Sequence, residues 1–273
     1  MKNNINIVII QKKIDSTIEK NISIIENTII KKQLPKNSIV VLHELSLSKY
    51  FCISKNKNNF KYSITNDSPV LKKIEKICEK NKIFLIIGYF EEFKKKYYNA
   101  CALISPKGII GKYRKKNLPD EECYYEKFYF ENSKQPFKVF DIGICKIGIM
   151  LCWDQWFSKS YSRLNDLGAD IIFCPTSIGY AYSNNKKISL INEKEMWIKV
   201  IQSNSLMNNI PVIVANRMGK EIAGNKNIIF WGSSFMTNSD GQIIAKAGKT
   251  SMILKKTINL LDRKKSIKKW GFI

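Results

Sequence analysis

Lys146-Ile147-Gly148-Ile149-Met150-Leu151 runs without a break into Cys152-Trp153-Asp154-Gln155-Trp156-Phe157. The first half is a short apolar run of the kind that forms a buried strand, and the second is followed by the polar start of a helix predicted over residues 157–167. Cys152 therefore falls at a strand end. A thiol there faces the N-terminus of the next helix, whose dipole and free N–H groups favour the thiolate. Cysteine is also among the most buried residue types, and six others occur in the chain, so position alone leaves an inert structural thiol as an equal reading.

Outward from this junction, similar apolar runs occupy residues 5–10, 38–42, 83–89, 98–104, 170–174 and 210–215. Helical spacing separates most of them: Ile14, Ile18, Ile22 and Ile25; Leu71, Ile74 and Ile77; Trp197, Ile198 and Ile201. Alternation of this kind predicts a layered α/β architecture. Residues 233–237, 242–245 and 252–260 read as further strands, with Asp240-Gly241 as a hairpin turn between the first two. Without a repeat or a Gly/Ser/Pro linker, residues 1–273 are expected to form a single domain, and 44% hydrophobic composition suffices for its core.

The net charge of +23 raises the question of a nucleic-acid or anionic-membrane partner. Only Arg114, Arg163, Arg217 and Arg263 among the 46 basic residues are arginine, the usual choice for bidentate phosphate and base contacts, and the lysines are scattered. A solvated basic surface is the expectation, with no nucleic acid as partner. No run approaches the roughly 18 apolar residues of a membrane span, so no membrane partner is expected either. Seven cysteines form an odd set without a Cys-x-x-Cys pair, which suggests neither disulfides nor a metal site and predicts a reducing cytoplasm.

A nucleophilic cysteine needs a base. The one histidine, His43, directly precedes Glu44 at the end of the predicted strand 38–42, and neighbouring strand side chains point to opposite faces. Either a Cys-His or a Cys-Glu pair is therefore possible, and periodicity does not choose.

The segments Tyr113–Phe130 (YRKKNLPDEECYYEKFYF), 146–157 and 216–221 (NRMGKE) resemble the nitrilase superfamily of carbon-nitrogen hydrolases, and within it the N-carbamoylputrescine amidase group. Glu44-Leu45, Tyr50-Phe51, Asn99-Ala100, Pro175-Thr176, Ile178-Gly179, Trp197, Gln202 and 232–235 (GSSF) extend the likeness over nearly the whole chain in one order. The resemblance implies a four-layer αββα sandwich that assembles as a homo-oligomer and needs no cofactor or metal. It also implies a catalytic trio of Glu44, Lys115 and Cys152, with Glu126 orienting the lysine and the Trp153 N–H helping to hold an oxyanion. The Tyr-Arg-Lys register selects Lys115 from Arg114, Lys115 and Lys116. An ammonium held between two carboxylates stays charged, favours a neighbouring thiolate and can stabilise an oxyanion.

The substrate class implied is a small carbamoyl or amide compound, N-carbamoylputrescine above all, hydrolysed to putrescine, carbon dioxide and ammonia in polyamine synthesis from agmatine. A cationic substrate end needs carboxylate or aromatic partners, for which Asp154, Trp156, Asp120, Glu121 and Tyr180 are available. An anionic substrate, a carbamoyl-β-amino acid or dicarboxylate monoamide, would want an arginine, chiefly Arg217. Leu42-His43, Asn117, Glu121-Glu122-Cys123 and Asn204 depart from the amidase pattern in stretches that line or support the pocket of that group. The chain ends at Trp270-Gly271-Phe272-Ile273, short of the basic tail usual in the group, which is expected to weaken subunit contacts.

Overall fold

The computed structural model describes residues 4–272. Strands β1 (Asn4–Gln11), β2 (Ile39–Val41), β3 (Phe84–Phe93), β4 (Lys96–Ser105) and β5 (Gly108–Arg114) line up in that order. Met252–Asn259 closes the other edge of this sheet, antiparallel to β1. β1, β2 and β3 are parallel, and hairpins make β3, β4 and β5 antiparallel. A second six-stranded sheet centres on three parallel strands, Lys146–Ile149, Ile171–Thr176 and Val212–Asn216, with Val139–Asp141 at one edge and Phe235–Thr237 and Ile243–Lys246 at the other.

Both sheets are buried on both faces, which is why their central strands read as continuous apolar runs. Ile5, Ile7, Ile9, Val41 and Ile86 meet Ile147, Ile149, Phe173 and Ile213 between the sheets. On the outside of the first sheet, Val8, Ile10 and Val40 pack on Ile22, Ile25 and Ile29 of α1 (Ile18–Lys32) and on Leu71, Ile74 and Ile77 of α2 (Pro69–Asn81). On the outside of the second, Met150, Ile172 and Val214 pack on Tyr161 and Leu164 of α3 (Ser158–Asp166) and on Trp197 and Ile201 of α4 (Glu193–Met207). Helix, sheet, sheet and helix form the expected αββα sandwich. Among the described residues no helix is long and apolar enough to cross a membrane.

The differences from the sequence reading are local. The first helix begins at Ile18 and not at Ile14, because Thr17 caps it and the Asn21 side chain ties down the Asp15 backbone before it. A four-stranded antiparallel sheet (Gly179–Ser183, Lys186–Lys187, Met218–Ala223, Lys226–Trp231) and α5 (Leu260–Trp270) were not expected.

Candidate active site

The strand Lys146–Ile149 stops short of Cys152, which opens a turn of 3-10 helix, Cys152–Trp156, with a φ of 40°. Leu45, one residue past Glu44, also has positive φ, at 49°. Non-glycine residues rarely adopt this region, and the surroundings must hold them there. For Leu45 the structure shows what does so. Buried Arg217 donates from Nη2 to the carbonyls of Glu44, Leu45 and Ser48 at 3.1, 2.8 and 3.1 Å, and from Nε to Ser177 Oγ at 3.0 Å. Ser177 Oγ donates to the same Glu44 carbonyl at 3.0 Å. Gly88 of β3 lets this turn approach: a Cβ there would lie 2.8 Å from Leu45 N and 2.9 Å from Glu44 Cα.

This turn aims the Glu44 carboxylate at Lys115, just past the end of β5. Lys115 Nζ donates to Glu44 Oε1 at 2.8 Å and to both Glu126 oxygens at 2.8 and 2.7 Å, with all three side chains fully buried. Asn99 Nδ2 donates to Glu44 Oε1 at 2.8 Å, and Tyr50 Oη to Glu126 Oε1 at 2.8 Å. Glu44 Oε2 is buried and has no hydrogen-bond partner among the described residues. Burial works against the Lys115 charge, but Glu126 and Glu44 outweigh it and hold the ammonium well above its ordinary pKa. Burial, with Glu44 beside it, lifts the Glu126 carboxyl to about 7 against the pull of Lys115. His43 does not share the site's chemistry. Its Nδ1 donates to the Glu44 carbonyl at 2.8 Å, and burial, with Arg217 close by, holds the ring well below its usual pKa and therefore neutral.

Cys152 is 5% exposed, and the expectation that its thiolate is favoured is corrected. Burial pushes the thiol well up, Glu44 pushes it further, and Lys115 offsets this only in part. A single short turn, not a long helix, begins at the cysteine, so little dipole acts on the sulfur. The first bond of that turn runs from Asp154 N–H to Leu151 O at 2.9 Å, which leaves the Trp153 N–H without an intrahelical acceptor.

Three residues expected to meet substrate lie elsewhere. Asp154 is fully buried: Oδ2 accepts from Tyr113 Oη at 2.7 Å and Leu151 N–H at 3.1 Å, and Oδ1 from the backbone and side-chain N–H of Asn117 at 2.9 and 2.8 Å. It thus ties the Lys115 segment to the Cys152 turn. Trp156 packs toward α3 and α4, its ring 6.0 Å from that of Trp153. Tyr180 stacks edge-on against Trp231 under the Lys187 ammonium. Arg217, the sequence's choice for an anionic substrate, has every direction filled by the Glu44 turn, Ser177 and Glu221.

Trp153, the residue after Cys152, lines a cavity of about 390 Å³ together with Glu121, Glu122, Tyr124, Ala181, Ile188, Ser189, Leu190 and Glu193. Tyr124, one of the lining residues, is fixed by bonds of 3.1 Å to both the N–H and the carbonyl of Gly179. Burial pushes its phenol well up, and Glu193, Cys152 and Glu121 all lie near enough to add to the rise. Glu122 is paired with Lys226 at 3.2 Å and with Ser183. Glu121 and Glu193 have no cation within ion-pair reach among the described residues. Burial, reinforced by Glu121, raises Glu193 to about 7 against the weaker pull of Lys187, and burial raises Glu121 as well. The sequence reading named Glu121 but missed Glu193, which in sequence is one of two acids in the first turn of a helix, where acids are favoured anyway. Among the described residues no group of three His, Cys, Asp or Glu side chains is arranged to hold a metal ion.

Residues 7–266 match the family model described as carbon-nitrogen hydrolase. The chain is 31% identical over 261 residues to the N-carbamoylputrescine amidase of Arabidopsis thaliana, covering 93% of this chain and 86% of that one. It is also 31% identical over 271 residues to the citrullinase of Francisella tularensis, covering 98% and 93%. Its structure superposes on the carbon-nitrogen hydrolase of Helicobacter pylori G27 with a TM-score of 0.89 at 28% identity, covering 98% of this chain and 94% of that one. With a family match along nearly its whole length and relatives that share its fold, the protein belongs to the carbon-nitrogen hydrolases of the nitrilase superfamily, enzymes that hydrolyse carbamoyl and amide bonds.

Proposed function

We propose that the protein hydrolyses N-carbamoylputrescine to putrescine, carbon dioxide and ammonia, in polyamine synthesis from agmatine, with Glu44, Lys115 and Cys152 as its catalytic trio. The observation that carries the substrate reading is the cavity at Trp153. In a chain of net charge +23 it gathers three glutamates, two of them without an ion-pair partner among the described residues, both lifted by burial and Glu193 further by the Glu121 charge. A cationic amine relieves both the burial and the repulsion of such a pair.

In this mechanism the unpartnered Glu44 Oε2 takes the Cys152 thiol proton as the sulfur adds to the carbamoyl carbon. Lys115 Nζ and the Trp153 N–H hold the oxyanion, and Glu126 keeps the ammonium in place from its far side. Collapse of the adduct breaks the bond to the terminal amide nitrogen, which leaves as ammonia with the proton held by Glu44. The product is a carbamoyl-enzyme, Cys152 Sγ bonded to the carbonyl of an N-(4-aminobutyl)carbamoyl group. Glu44 then takes a proton from water as the oxygen adds to that carbonyl, and returns one to the departing sulfur. The released carbamic acid splits into putrescine and carbon dioxide.

Citrulline, the compound named by the Francisella relative, presents the same carbamoyl group and an α-ammonium, but its carboxylate would enter a cavity lined by glutamates while Arg217 is fully engaged. Ammonia release from N-carbamoylputrescine, citrulline, N-carbamoyl-β-alanine and glutaramate, with Cys152→Ala as control, tests the proposal. Preferred turnover of N-carbamoylputrescine, abolished in the control, is expected; preference for an anionic member of the panel refutes the substrate reading. A homo-oligomer is part of the same proposal, supported by exposed Leu190, Ile191, Met196 and Met207 on and just before α4.

A further inference from the structure

A second cavity, of about 400 Å³, shares no lining residue with the glutamate cavity and is bounded in part by Lys49 and Tyr50 of the segment that follows Glu44. Its wall includes Lys13, Lys49 and Lys220, with Ser54, Asn56, Asn59 and Tyr62. The three lysines are exposed, and among the described residues none has a carboxylate within ion-pair reach. They come from three distant parts of the chain. Lys13 follows β1, Lys49 sits in the turn after Glu44, and Lys220 lies on the strand Met218–Ala223, where Gly219 lies beside the Lys13 stem.

The wall's one acid, Glu221, is already engaged. Its Oε2 accepts the Tyr50 N–H at 2.7 Å and its Oε1 accepts Arg217 Nη1 at 2.7 Å. From this carboxylate two short paths lead inward. One runs through Arg217 to the carbonyls of Glu44 and Leu45, the other through Tyr50, whose hydroxyl bonds Glu126. The wall of the cavity is thus linked, by part-buried and buried hydrogen bonds, to the backbone of Glu44 and to the Glu126 carboxylate, the two residues that hold Lys115.

The geometry points to a regulatory site for a small anion of two or more negative charges, phosphate- or carboxylate-bearing, at Lys13, Lys49 and Lys220. An anion there draws Lys49 and Lys220 together on either side of Tyr50 and Glu221, and fixes the frame that aims Glu44. The coupling travels through a contiguous network, and its size is set by how much more tightly the anion binds the fixed frame than the loose one.

The test is calorimetric titration of the protein with inorganic phosphate and, separately, with succinate, at constant ionic strength, alongside the rate at which iodoacetamide alkylates Cys152. Neither readout needs a substrate, so failure here leaves the substrate proposal standing, and the reverse. Saturable binding is expected for at least one probe, phosphate or succinate distinguishing a phosphoryl from a carboxylate ligand, with alkylation of Cys152 faster by about fivefold at saturation. Both effects should vanish in the Lys13→Ala/Lys49→Ala/Lys220→Ala variant, whose changes are confined to exposed side chains. Heat that never saturates, or saturable binding that survives the triple substitution, overturns the site. Binding without a change in alkylation overturns its link to Glu44.

Discussion

Glu193→Gln separates the cost of holding a carboxylate in the cavity from its use. In the free enzyme the Glu193 carboxyl is lifted to about 7, first by burial and then by Glu121, from an ordinary 4.5. A carboxyl whose pKa is higher in the folded than in the unfolded state favours folding below its unfolded value, and that contribution is lost as pH rises from about 4.5 through about 7. Above pH 7 the ionised pair Glu121/Glu193 is therefore a burden on the fold, and the uncharged amide should raise the unfolding midpoint at pH 8 while leaving it nearly unchanged at pH 5. Substrate binding follows the opposite sign. A cationic amine needs the ionised form, so the KM for N-carbamoylputrescine should fall as pH rises from 6 to 8, and binding near pH 7 should release protons to the buffer. A charged hydrogen bond in such a setting contributes about 1.5–3 kcal/mol, so the glutamine should raise KM by about 10- to 150-fold. kcat should change little, because the group acts on the end of the substrate remote from the sulfur. Ammonia-release kinetics across pH, with thermal unfolding on the same samples, reads all of this. A variant with unchanged KM, or a wild-type KM indifferent to pH across this range, refutes the assignment of the amine to this cavity.

Other substitutions probe the frame. Lys115→Met leaves two buried carboxylates facing each other without their cation, and should cost about 3–5 kcal/mol of stability by denaturant titration along with all measurable turnover. Gly88→Ala sets a methyl against the backbone of Leu45 and Glu44, so the turn must shift; about 1–3 kcal/mol of stability should go, and kcat should fall by roughly 100-fold because a displacement of this kind misplaces the base. Asp154→Asn sets an amide N–H either against the Leu151 N–H or, with the amide turned over, against the two Asn117 N–H donors, at a cost of about 1–3 kcal/mol. Its kcat should drop with KM held, since it joins the Lys115 and Cys152 segments without touching the cavity; a raised KM with normal kcat would return Asp154 to the pocket.

The layered fold was legible because strands buried on both faces write themselves as apolar runs such as residues 83–89, and the helices that cover them show clean three- and four-residue spacing. What escaped notice lacks such a pattern. α5 buries only Ser266 and reads as a lysine-rich segment, and the outer four-stranded sheet consists of strands of two to six residues, GYAYS, KK, MGKEIA and KNIIFW, that share no common apolar pattern. The meeting of Glu44, Lys115 and Cys152 joins three separate parts of the chain. Periodicity left His43 and Glu44 equal, and only family resemblance brought the three together. Arg217 misled for a related reason: nothing local distinguishes an arginine that reaches a ligand from one that closes a turn, because its partners, the carbonyls of Glu44, Leu45 and Ser48, lie some 170 positions away in sequence (169 for Ser48).

The charges around the sulfur decide how the reaction must start. One ammonium faces two carboxylates, so with both ionised the cluster already carries a net negative charge without contact with water. A resting thiolate would add a second, and the rise in the Cys152 pKa reflects that. A preformed thiolate–cation pair is therefore disfavoured here, and in the proposed mechanism addition of sulfur to the carbonyl goes together with transfer of its proton to Glu44 Oε2, the one carboxylate oxygen of the cluster left without a partner among the described residues. As the proton moves, the negative charge passes from Glu44 to the substrate oxygen and stays within reach of Lys115, so the cluster's total is unchanged from start to adduct. The fixed dipoles and the lysine need not reorganise, which is the condition under which a buried electrostatic site accelerates a reaction most. The unusual backbone at Leu45 and Cys152, with Arg217 and Asp154 bracing the segments that carry them, keeps that oxygen and that sulfur in place.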